Sequence, residues 1–427
     1  MNNTQPSPIP FALPFIGKEE EEAVLRVLRS GWLTTGTETL QFEKEFAEFF
    51  GEPIHALAVN SATSGLHLAL EACGVGPGDV VLTSPYTFTA TAEVVRYLGA
   101  HVAFVDVVPG TYLMDPQKLE TTLERLSSGL PAYPHRCNDH CNNIIDGRVS
   151  NDAASEGFGP RGKPTVVIPV HIAGLSCDMD AITRLATKYN VRIVEDAAHA
   201  FPSRRTDGRW VGLIGDIGVF SFYATKTITT GEGGMVVTGD EALAKRISIM
   251  RSHGIDRSIW NRYRDTKASW RYAVVAPGYK YNLSDVLAAI GRVQLQRALD
   301  LLAMRKAIAE QYNQAFSESK ALMIPPNSFE NAWHLYPLRL AGPQGPQRRD
   351  AFIEALQQAG IGVSVHFIPL HTMPYYAQLY GLDDHDFPYA LDSFSRSISL
   401  PIWPGMTDLH VKRVIETVLK TVKDLEL

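Results

Sequence analysis

The sequence has few cysteines and no long apolar run. Its 427 residues include four cysteines, too few for the disulfide framework of a secreted protein. No window approaches the ~18 uninterrupted apolar residues of a membrane-spanning helix. Residues 1–14 contain no basic segment followed by an apolar core, so we expect no signal peptide. These absences predict a cytoplasmic protein that does not cross a membrane.

The sequence also lacks an excess of one charge sign. Forty Lys and Arg residues stand against 46 Asp and Glu, which gives a formal net charge of −6. Such a balance offers no basic surplus for a nucleic-acid backbone or an anionic membrane surface. Hydrophobic residues make up 45% and charged residues 20% of the chain, which argues against long disorder. We therefore predict a globular protein of two or three domains that binds no nucleic acid.

Short β-rich runs alternate with amphipathic helical stretches between about residues 55 and 250. The predicted strands are His55–Val59, Val80–Thr83, His101–Asp106, Thr165–Pro169, Val191–Val194, Val219–Phe222 and Gly234–Thr238. The predicted helices between them are Ala62–Ala72, Thr89–Leu98, Asp115–Leu126 and Asp178–Tyr189. This alternation predicts an α/β fold with a mostly parallel central sheet flanked by helices. Ligands of such sheets bind beyond the carboxyl ends of the strands.

The C-terminal part has a different pattern and predicts a smaller α+β domain. We expect a long helix over Leu283–Phe316, a strand over Trp333–Leu340 and a helix over Arg348–Gln358. An apolar stripe from Val411 to Val422 follows the capping pair Thr407-Asp408. We place a large domain at residues 1–253 and a small one at 254–427. The acidic run Glu19–Glu22 is interpreted as the solvated start of a helix.

Ser127–Lys163 fits neither pattern and is predicted to be an inserted loop, because it is rich in Gly, Pro, Asn, Asp and Ser throughout. It contains four residues of metal-binding type, His135, Cys137, His140 and Cys141. Four ligands crowded into seven positions have difficulty closing a tetrahedron, and the spacing matches no standard zinc pattern. We predict no metal site and keep these four residues as the candidates for one.

Two residues that follow predicted strands carry the chemistry. Lys226 lies between an apolar strand and the Gly-rich segment Gly231–Gly234. There it can be desolvated, which makes its amine nucleophilic at neutral pH. Asp196 ends another strand in small apolar surroundings and needs a cationic partner to stay ionised. The alternatives are an ordinary surface lysine and a helix N-cap aspartate.

Further candidates follow other strands. The segment Asn60–Ser64, which includes Ala62 and Thr63, opens a helix, and the free N–H groups there can bind phosphate. The alternative is an ordinary helix N-cap, which has the same sequence pattern. Ser221 adds a hydroxyl, and Phe88 could stack on a flat ring or pack in the core. His199 could hold the Asp196 carboxylate or stack on a ring, although a lone histidine is more often a core residue. Together these residues supply the groups that are needed to hold pyridoxal phosphate (PLP) on a lysine.

Several segments occur in the order that one family shows. They are Ser30–Gly36, Asn60–Thr63, Glu195–Ala200, Ser221–Lys226, Thr230–Gly234, Gly278–Asn282 and Leu400–Met406. The chain resembles the DegT/StrS-type sugar-nucleotide aminotransferases, which are fold-type I PLP enzymes, from about residue 10 to its C-terminus. The resemblance implies a large domain with a mostly parallel sheet and a smaller C-terminal α+β domain.

The resemblance also implies roles for individual residues. Lys226 corresponds to the lysine that carries PLP and then acts as the general base. Asp196 corresponds to the partner of the pyridinium nitrogen, and Phe88 to the aromatic residue that stacks on the ring. Ala62, Thr63 and Ser221 match phosphate-binding positions. Asn282 matches a residue donated across a dimer interface to the neighbouring phosphate, so a homodimer with shared active sites is implied.

The implied reaction is a ping-pong transamination. An amino acid, in this family usually glutamate, converts PLP to pyridoxamine phosphate, which then aminates a nucleotide-linked keto-sugar. The segments Trp32–Gly36 and Gly278–Asn282 resemble those of members that aminate C4 of a UDP-linked 4-keto sugar. Trp32, Thr34, Thr35 and Lys280 are therefore candidate substrate contacts, with solvent-exposed loop as the alternative.

Two other functions stay open at this point. Relatives with histidine at the lysine position are sugar dehydratases, and the retained Lys226 argues against that chemistry. A non-catalytic PLP-fold protein that regulates transcription would need a DNA-reading element, and the chain shows no appended basic segment.

Overall fold

A computed structural model describes residues 7–134, 157–256, 272–326 and 331–427 of the chain. Within those residues the main sheet has seven strands in the order β1-β7-β6-β5-β4-β2-β3. They are β1 (His55–Val59), β2 (Asp79–Thr83), β3 (His101–Phe104), β4 (Lys163–Ile168), β5 (Arg192–Asp196), β6 (Ile217–Ser221) and β7 (Gly234–Thr238). Neighbours among β2 to β6 are parallel, whereas β7 runs antiparallel to β6 and β1. The predicted α/β fold with a mostly parallel sheet is confirmed.

Helices cover this sheet, and four of them begin at side-chain caps. They are α1 (Lys18–Ser30), α2 (Thr37–Phe50), α3 (Ala62–Ala72), α4 (Ala90–Tyr97), α5 (Pro116–Ser127), α6 (Met179–Tyr189) and α7 (Glu241–Met250). Ser61, Asp115, Asp178 and Asp240 each accept a backbone N–H of the helix they precede. Such caps satisfy donors that have no intrahelical acceptor, so these residues fix where the helices start.

A second, smaller sheet lies in the C-terminal half. Its antiparallel strands are β8 (Leu322–Met323), β9 (Tyr336–Leu340) and β10 (Ser397–Leu400), in the order β10-β9-β8. The helices of this half are α8 (Asp285–Gln296), α9 (Ala298–Phe316), α10 (Gly345–Gln358), α11 (Pro374–Tyr380), α12 (Pro388–Arg396) and α13 (Asp408–Asp424). Tyr312, Phe352 and Val414 are among the buried residues that join helices α9, α10 and α13 into one core.

The packing links both halves of the chain. Ala289 of α8, well past residue 253, packs with Ala23 and Val27 of α1. Leu370 and Tyr376, farther along the chain, belong to the core beside the main sheet. The division into domains at 1–253 and 254–427 stays a prediction.

Two sequence predictions differ from the structure. The helix expected over Leu283–Phe316 is two helices, separated at Arg297, whose backbone leaves helical geometry (φ −98°, ψ 3°). Apolar periodicity misses a break of one residue because both helices keep an apolar face. In the acidic run at the start of α1, Glu20 is buried rather than solvated. Its carboxylate accepts bonds from Gln294 and Arg297 at 2.7 Å each.

Side chains close both edges of the main sheet. On edge strand β3, Val102 N–H donates to the Tyr380 hydroxyl at 2.9 Å and Phe104 N–H to the Tyr133 hydroxyl at 2.6 Å. On edge strand β1, Ala58 N–H donates to Glu43 at 2.9 Å, and its carbonyl accepts from Arg251 at 2.7 Å. An edge strand otherwise presents unpaired donors and acceptors to other chains.

The predicted insertion leaves and rejoins the described chain beside β3. Tyr133 and Phe158 exchange two backbone hydrogen bonds of 3.0 Å, so the two flanks of residues 135–156 lie together. These flanks lie beside β3, and three strand spacings, about 14 Å in all, separate β3 from β5 in the sheet. His135, Cys137, His140 and Cys141 lie outside the described residues. Among the described residues, no helix has the length and apolarity needed to cross a membrane.

Candidate active site

A cavity of about 440 Å³ opens beyond the carboxyl ends of β5 and β6, at the start of α3. Seven residues singled out from the sequence line it: Ala62, Thr63, Phe88, Asp196, His199, Ser221 and Lys226. They come from four segments of the chain, at or just after the carboxyl ends of β1, β2, β5 and β6. The cavity lies where the topology of a parallel sheet places ligands.

Lys226 lies in the turn after β6, where its N–H donates to Tyr223 at 2.9 Å. Burial lowers the pKa of its amine to about 7, an effect that the Asp196 carboxylate opposes and the Arg305 guanidinium reinforces. A lysine with this pKa is neutral in a large part of the molecules at pH 7, and a neutral amine is nucleophilic. The environment therefore activates Lys226 before any ligand is considered.

Asp196 ends β5 and is only 5% exposed. Its Oδ2 accepts from the Thr91 hydroxyl at 2.8 Å and its Oδ1 from Ala198 N–H at 3.1 Å. Burial raises the pKa of this carboxyl, against the effect of those hydrogen bonds and of Lys226. A buried carboxylate is stabilised by a close cation. A protonated pyridine nitrogen in the cavity would supply one.

Glu195, the neighbour of Asp196 in β5, has a different partner set on the other face of the strand. It accepts from the N–H groups of Gly212, Ile214 and Gly215 at 2.6–2.9 Å. Nε2 of His171 lies 2.9 Å from it, and this hydrogen bond lowers the pKa of Glu195 although burial opposes ionisation. Glu195 thus ties the 212–215 loop and the 171 segment to the strand that carries Asp196.

The first turn of α3 forms the floor of the cavity. Ser61 caps the helix by accepting Ser64 N–H at 3.1 Å, which leaves the N–H groups of Ala62 and Thr63 without an intrahelical acceptor. Gly234 of β7 lies directly behind this turn. A Cβ there would come within 2.8 Å of Ala62 N and of Phe220 O. The glycine allows the close approach that places an anion-binding helix end beside the cavity.

His199 is held in one tautomer. Its Nδ1 accepts Ala173 N–H at 3.3 Å, so the ring proton is on Nε2. Its ring lies 4.4 Å from that of His334 and stacks on Phe367 at 5.7 Å. Phe88, 58% exposed, lies 5.9 Å from Phe367 and presents a free face at the mouth of the cavity.

Sequence reasoning missed four residues of the cavity wall: Thr91, His334, His366 and Phe367. Nε2 of His334 lies 3.4 Å from Nζ of Lys226, although the two residues are 108 positions apart. Burial lowers the pKa of His334 far below its usual value and that of His366 to about 4, so both rings are neutral. They come from loops of the C-terminal half, where no local motif signals them.

Five predicted residues lie beside the cavity rather than in its wall: Trp32, Thr34, Thr35, Lys280 and Asn282. Nδ2 of Asn282 donates to the Thr35 hydroxyl at 2.6 Å, and Nε1 of Trp32 donates to the Thr35 carbonyl at 3.3 Å. The Lys280 carbonyl accepts from Asn60 at 3.4 Å. The two loops therefore form one cluster at the carboxyl end of β1, and their roles stay predictions.

The donor set fits PLP. A buried carboxylate, a lysine with a lowered pKa, an uncovered helix N-terminus and an exposed aromatic face surround a single cavity of sufficient volume. No cluster of three metal-ligating side chains occurs among the residues that the structure describes. PLP would therefore be held by Asp196, Ala62, Thr63, Ser221 and Lys226.

The comparison with known families decides the assignment. The sequence model of the DegT/DnrJ/EryC1/StrS aminotransferase family matches residues 14–132 and 146–419. The chain belongs to this family. The resemblance found in the motifs is confirmed, and with it the transaminase class, the PLP cofactor and a sugar aminotransferase activity. Residues 133–145, which the match leaves out, lie within the predicted insertion.

Individual relatives cover nearly the whole chain. The spore coat polysaccharide biosynthesis protein SpsC of Bacillus subtilis (strain 168) is 42% identical over 418 residues, 97% of each chain. Spr1654 of Streptococcus pneumoniae, described as a sugar aminotransferase and solved in its PMP form, is 31% identical with a TM-score of 0.82. That likeness covers 98% of this chain and 100% of Spr1654. PseC of Helicobacter pylori, an aminotransferase of pseudoaminic acid biosynthesis, is 27% identical with a TM-score of 0.81, covering 98% and 100%.

Proposed function

We propose that this sugar aminotransferase moves an amino group from L-glutamate to C4 of a UDP-linked 4-keto sugar by a ping-pong mechanism. The observation that carries the proposal is the shared cavity of Lys226, Asp196 and the first turn of α3. The segments Trp32–Gly36 and Gly278–Asn282 support the choice of a UDP-linked C4 substrate. SpsC acts in spore coat polysaccharide biosynthesis, which supports a surface polysaccharide as the destination of the amino sugar.

The bound cofactor supplies an electron sink that stabilises negative charge at the carbon from which a proton is removed. Asp196 would hold a protonated ring nitrogen and so keep that sink effective, because its own ionised form is costly without a cation. Ala62, Thr63 and Ser221 would hold the phosphate, and His199 and Phe88 would contact the ring.

Lys226 acts twice in this scheme. Its amine would hold the cofactor, and the same amine, when free, would act as the general base that accepts and returns a proton at Nζ. A pKa of about 7 suits both directions of this transfer, since the amine accepts and releases the proton at the same pH. The neutral rings of His334 and His366 add no positive charge that would oppose protonation of Lys226.

Substrate binding is proposed to involve two chains. Trp32, Thr34, Thr35 and Lys280 would contact the sugar nucleotide, and Asn282 would reach the phosphate in the partner's site of a homodimer. In the described chain Asn282 lies beside the cavity and its Oδ1 is buried without a partner among the described residues. Its Nδ2, which donates to the Thr35 hydroxyl in this chain, is the group that would donate to the partner's phosphate.

A visible spectrum of the purified protein, before and after addition of L-glutamate, tests the proposal. We expect a band near ~420 nm that shifts to ~330 nm with glutamate and returns when the correct keto-sugar nucleotide is added. Lys226→Ala should lose the band and turnover. Lys245→Ala, on the exposed side of α7, is the matched lysine control and should keep both.

The same experiment separates the other functions. A band that ignores glutamate, with loss of sugar hydroxyl instead of gain of amine, would establish dehydration. Turnover that survives Lys226→Ala would refute the assignment of Lys226. A keto-sugar screen that yields amine only with dTDP-linked or 3-keto substrates would replace the UDP or C4 part of the proposal and leave the chemistry intact.

A further inference from the structure

Arg305 of α9 is a buried cation close to the active lysine. It is 2% exposed, and its guanidinium contacts main-chain carbonyls only among the described residues. The shortest bond, 2.7 Å, joins Nη1 to the Ile402 carbonyl. The same nitrogen lies 3.3 Å from the carbonyls of Trp333 and His334.

The second guanidinium nitrogen faces the active turn. Nη2 lies 3.5 Å from the Thr225 carbonyl and 3.4 Å from the Lys226 carbonyl. Arg305 therefore contacts the turn after β6, the segment before β9 and the segment after β10. These three segments lie far apart in sequence, and they adjoin one strand of the main sheet and two strands of the small sheet.

A buried guanidinium without a carboxylate is costly, because carbonyl oxygens only partly replace its hydration. Burial lowers the pKa of Arg305 to about 10. Its Nε has no partner among the described residues. A lysine or an apolar side chain could fill this position more simply if α9 needed only packing there. Only the planar, forked geometry of arginine reaches all three segments at once.

We propose that Arg305 is a positioning residue that holds the main chains of Lys226 and His334 together and places its positive charge beside the turn that carries the Lys226 amine. Nζ of Lys226 lies 3.4 Å from Nε2 of His334, and this distance depends on two main-chain segments that both bind Arg305. The inference rests on the proposed role of Lys226 and on no choice of donor or sugar.

Several charged or titratable groups surround the Lys226 amine and can change its pKa. The charged or titratable side chains that line the cavity are Asp196, His199, Tyr223, Glu232, His334 and His366. Arg305 of α9 lies outside this lining and also acts on the amine. The three histidines are neutral because burial lowers the pKa of each. Arg305 is thus the cation that lowers the pKa of Lys226, in addition to the larger effect of burial.

Competitive acetylation of the cofactor-free protein measures this directly. The rate at which acetic anhydride labels Lys226 is followed from pH 5 to 10 by peptide mass spectrometry, and the midpoint gives the amine pKa. Arg305→Gln removes the charge and should raise this midpoint by about one unit. Arg305→Lys keeps the charge and should leave the midpoint near that of the wild type.

PLP attachment measures the positioning role. Free PLP is mixed with each cofactor-free variant, and the absorbance change gives the rate. We expect Arg305→Lys to slow attachment about tenfold, because one ammonium cannot hold three backbone segments in register. Arg349→Lys is the matched control. Arg349 is another buried arginine, bound to the carbonyls of Phe394 and Ser397 and paired with the exposed Asp350 carboxylate, away from the cavity. Its variant should attach PLP at the wild-type rate.

A midpoint for Lys226 that is unchanged in Arg305→Gln would overturn the proposal. The proposal would also be overturned if Arg305→Lys attached PLP at the wild-type rate while its melting temperature fell as much as that of Arg349→Lys. Arg305 would then contribute to stability alone. If Arg305→Gln is insoluble, Arg305→Lys against Arg349→Lys decides. The acetylation readout needs no turnover, so failure to find the amino-sugar product would refute the proposed function and not this inference.

Discussion

Glu195 and Asp196 are adjacent carboxylates that the strand separates by face. Glu195 is satisfied by three backbone N–H groups and His171, whereas Asp196 has Thr91 and one N–H. The pKa of Glu195 is lowered and that of Asp196 is raised by the difference in these partners against a common cost of burial. One residue stabilises the scaffold, and the other is left for a ligand.

Asp196→Asn should therefore separate activity from stability. We expect kcat to fall by about 10²-fold or more, because the ring nitrogen loses its ionic partner. The cofactor-free variant should be as stable as the wild type or more so at pH 8. An acid whose pKa is raised on folding makes the protein less stable as the pH rises from its unfolded pKa through its higher folded pKa, and the amide avoids this loss. Urea denaturation at pH 5 and pH 8, with kcat, checks both parts.

Asp300→Asn, at an exposed position in the first turn of α9, is the control for removing one negative charge and should change kcat little. A cofactor-free Asp196→Asn protein that is clearly less stable than the wild type at pH 8 would contradict the argument. So would a variant that keeps its kcat.

At the residue scale the sequence predicts much of the cavity wall. It misses wall residues whose own segments carry no recognisable motif. Lys226, Asp196 and Ser221 follow strands, and their segments have a recognisable order. Thr91 and His334 carry no such signal, because an ordinary threonine in a helix and a lone histidine occur in any fold. Their importance arises only when folding brings them to Asp196 and Lys226.

At the scale of elements, the contact of β7 with the first turn of α3 shapes the phosphate end of the site. Gly234→Ala places a methyl group 2.8 Å from Ala62 N and Phe220 O, both of which are backbone atoms and cannot turn aside. We expect a loss of about 1–3 kcal/mol in stability. PLP affinity should fall about tenfold as the helix end shifts. Denaturation and a PLP titration measure the two effects.

Gly239→Ala is the control at the other end of β7. A Cβ there meets nothing within 4 Å, so neither stability nor PLP affinity should fall. Equal PLP affinity in the two variants would show that the helix end does not depend on Gly234.

The elements themselves were largely predictable from sequence, and their arrangement less so. Strand and helix limits agree with the structure to within a few residues, since caps and apolar periodicity are local. The antiparallel placement of β7 and β1 has no local signature, because it depends on which strand edges meet after folding. The burial of Glu20 likewise depends on Gln294 and Arg297, more than 270 residues away.

At the scale of the whole molecule, the proposed sharing of active sites predicts complementation between two inactive variants. Lys226→Ala and Asn282→Ala should each be inactive or nearly so as pure proteins. A mixed dimer has one site with both substitutions and one with neither. Co-expression with two different tags, followed by purification through both, should therefore restore about half of the wild-type turnover per dimer. Light scattering on the purified complex checks its mass.

A matched mixture of Lys226→Ala with Asp196→Asn supplies the control. Both of those residues line the cavity of their own chain, so each site of that mixed dimer carries one defect. Activity in this control, or none in the first mixture, would contradict the proposed position of Asn282.

The closed edges of the main sheet limit how copies of the chain can associate. Tyrosine hydroxyls occupy donors of β3, and Glu43 and Arg251 bind the N–H and the carbonyl of Ala58 on the outer edge of β1. A strand of another chain would first have to displace these side chains, so strand addition is disfavoured at both edges of the sheet. The concentrated enzyme is thereby guarded against fibril growth through its own sheet, and assembly is directed to its helices and loops.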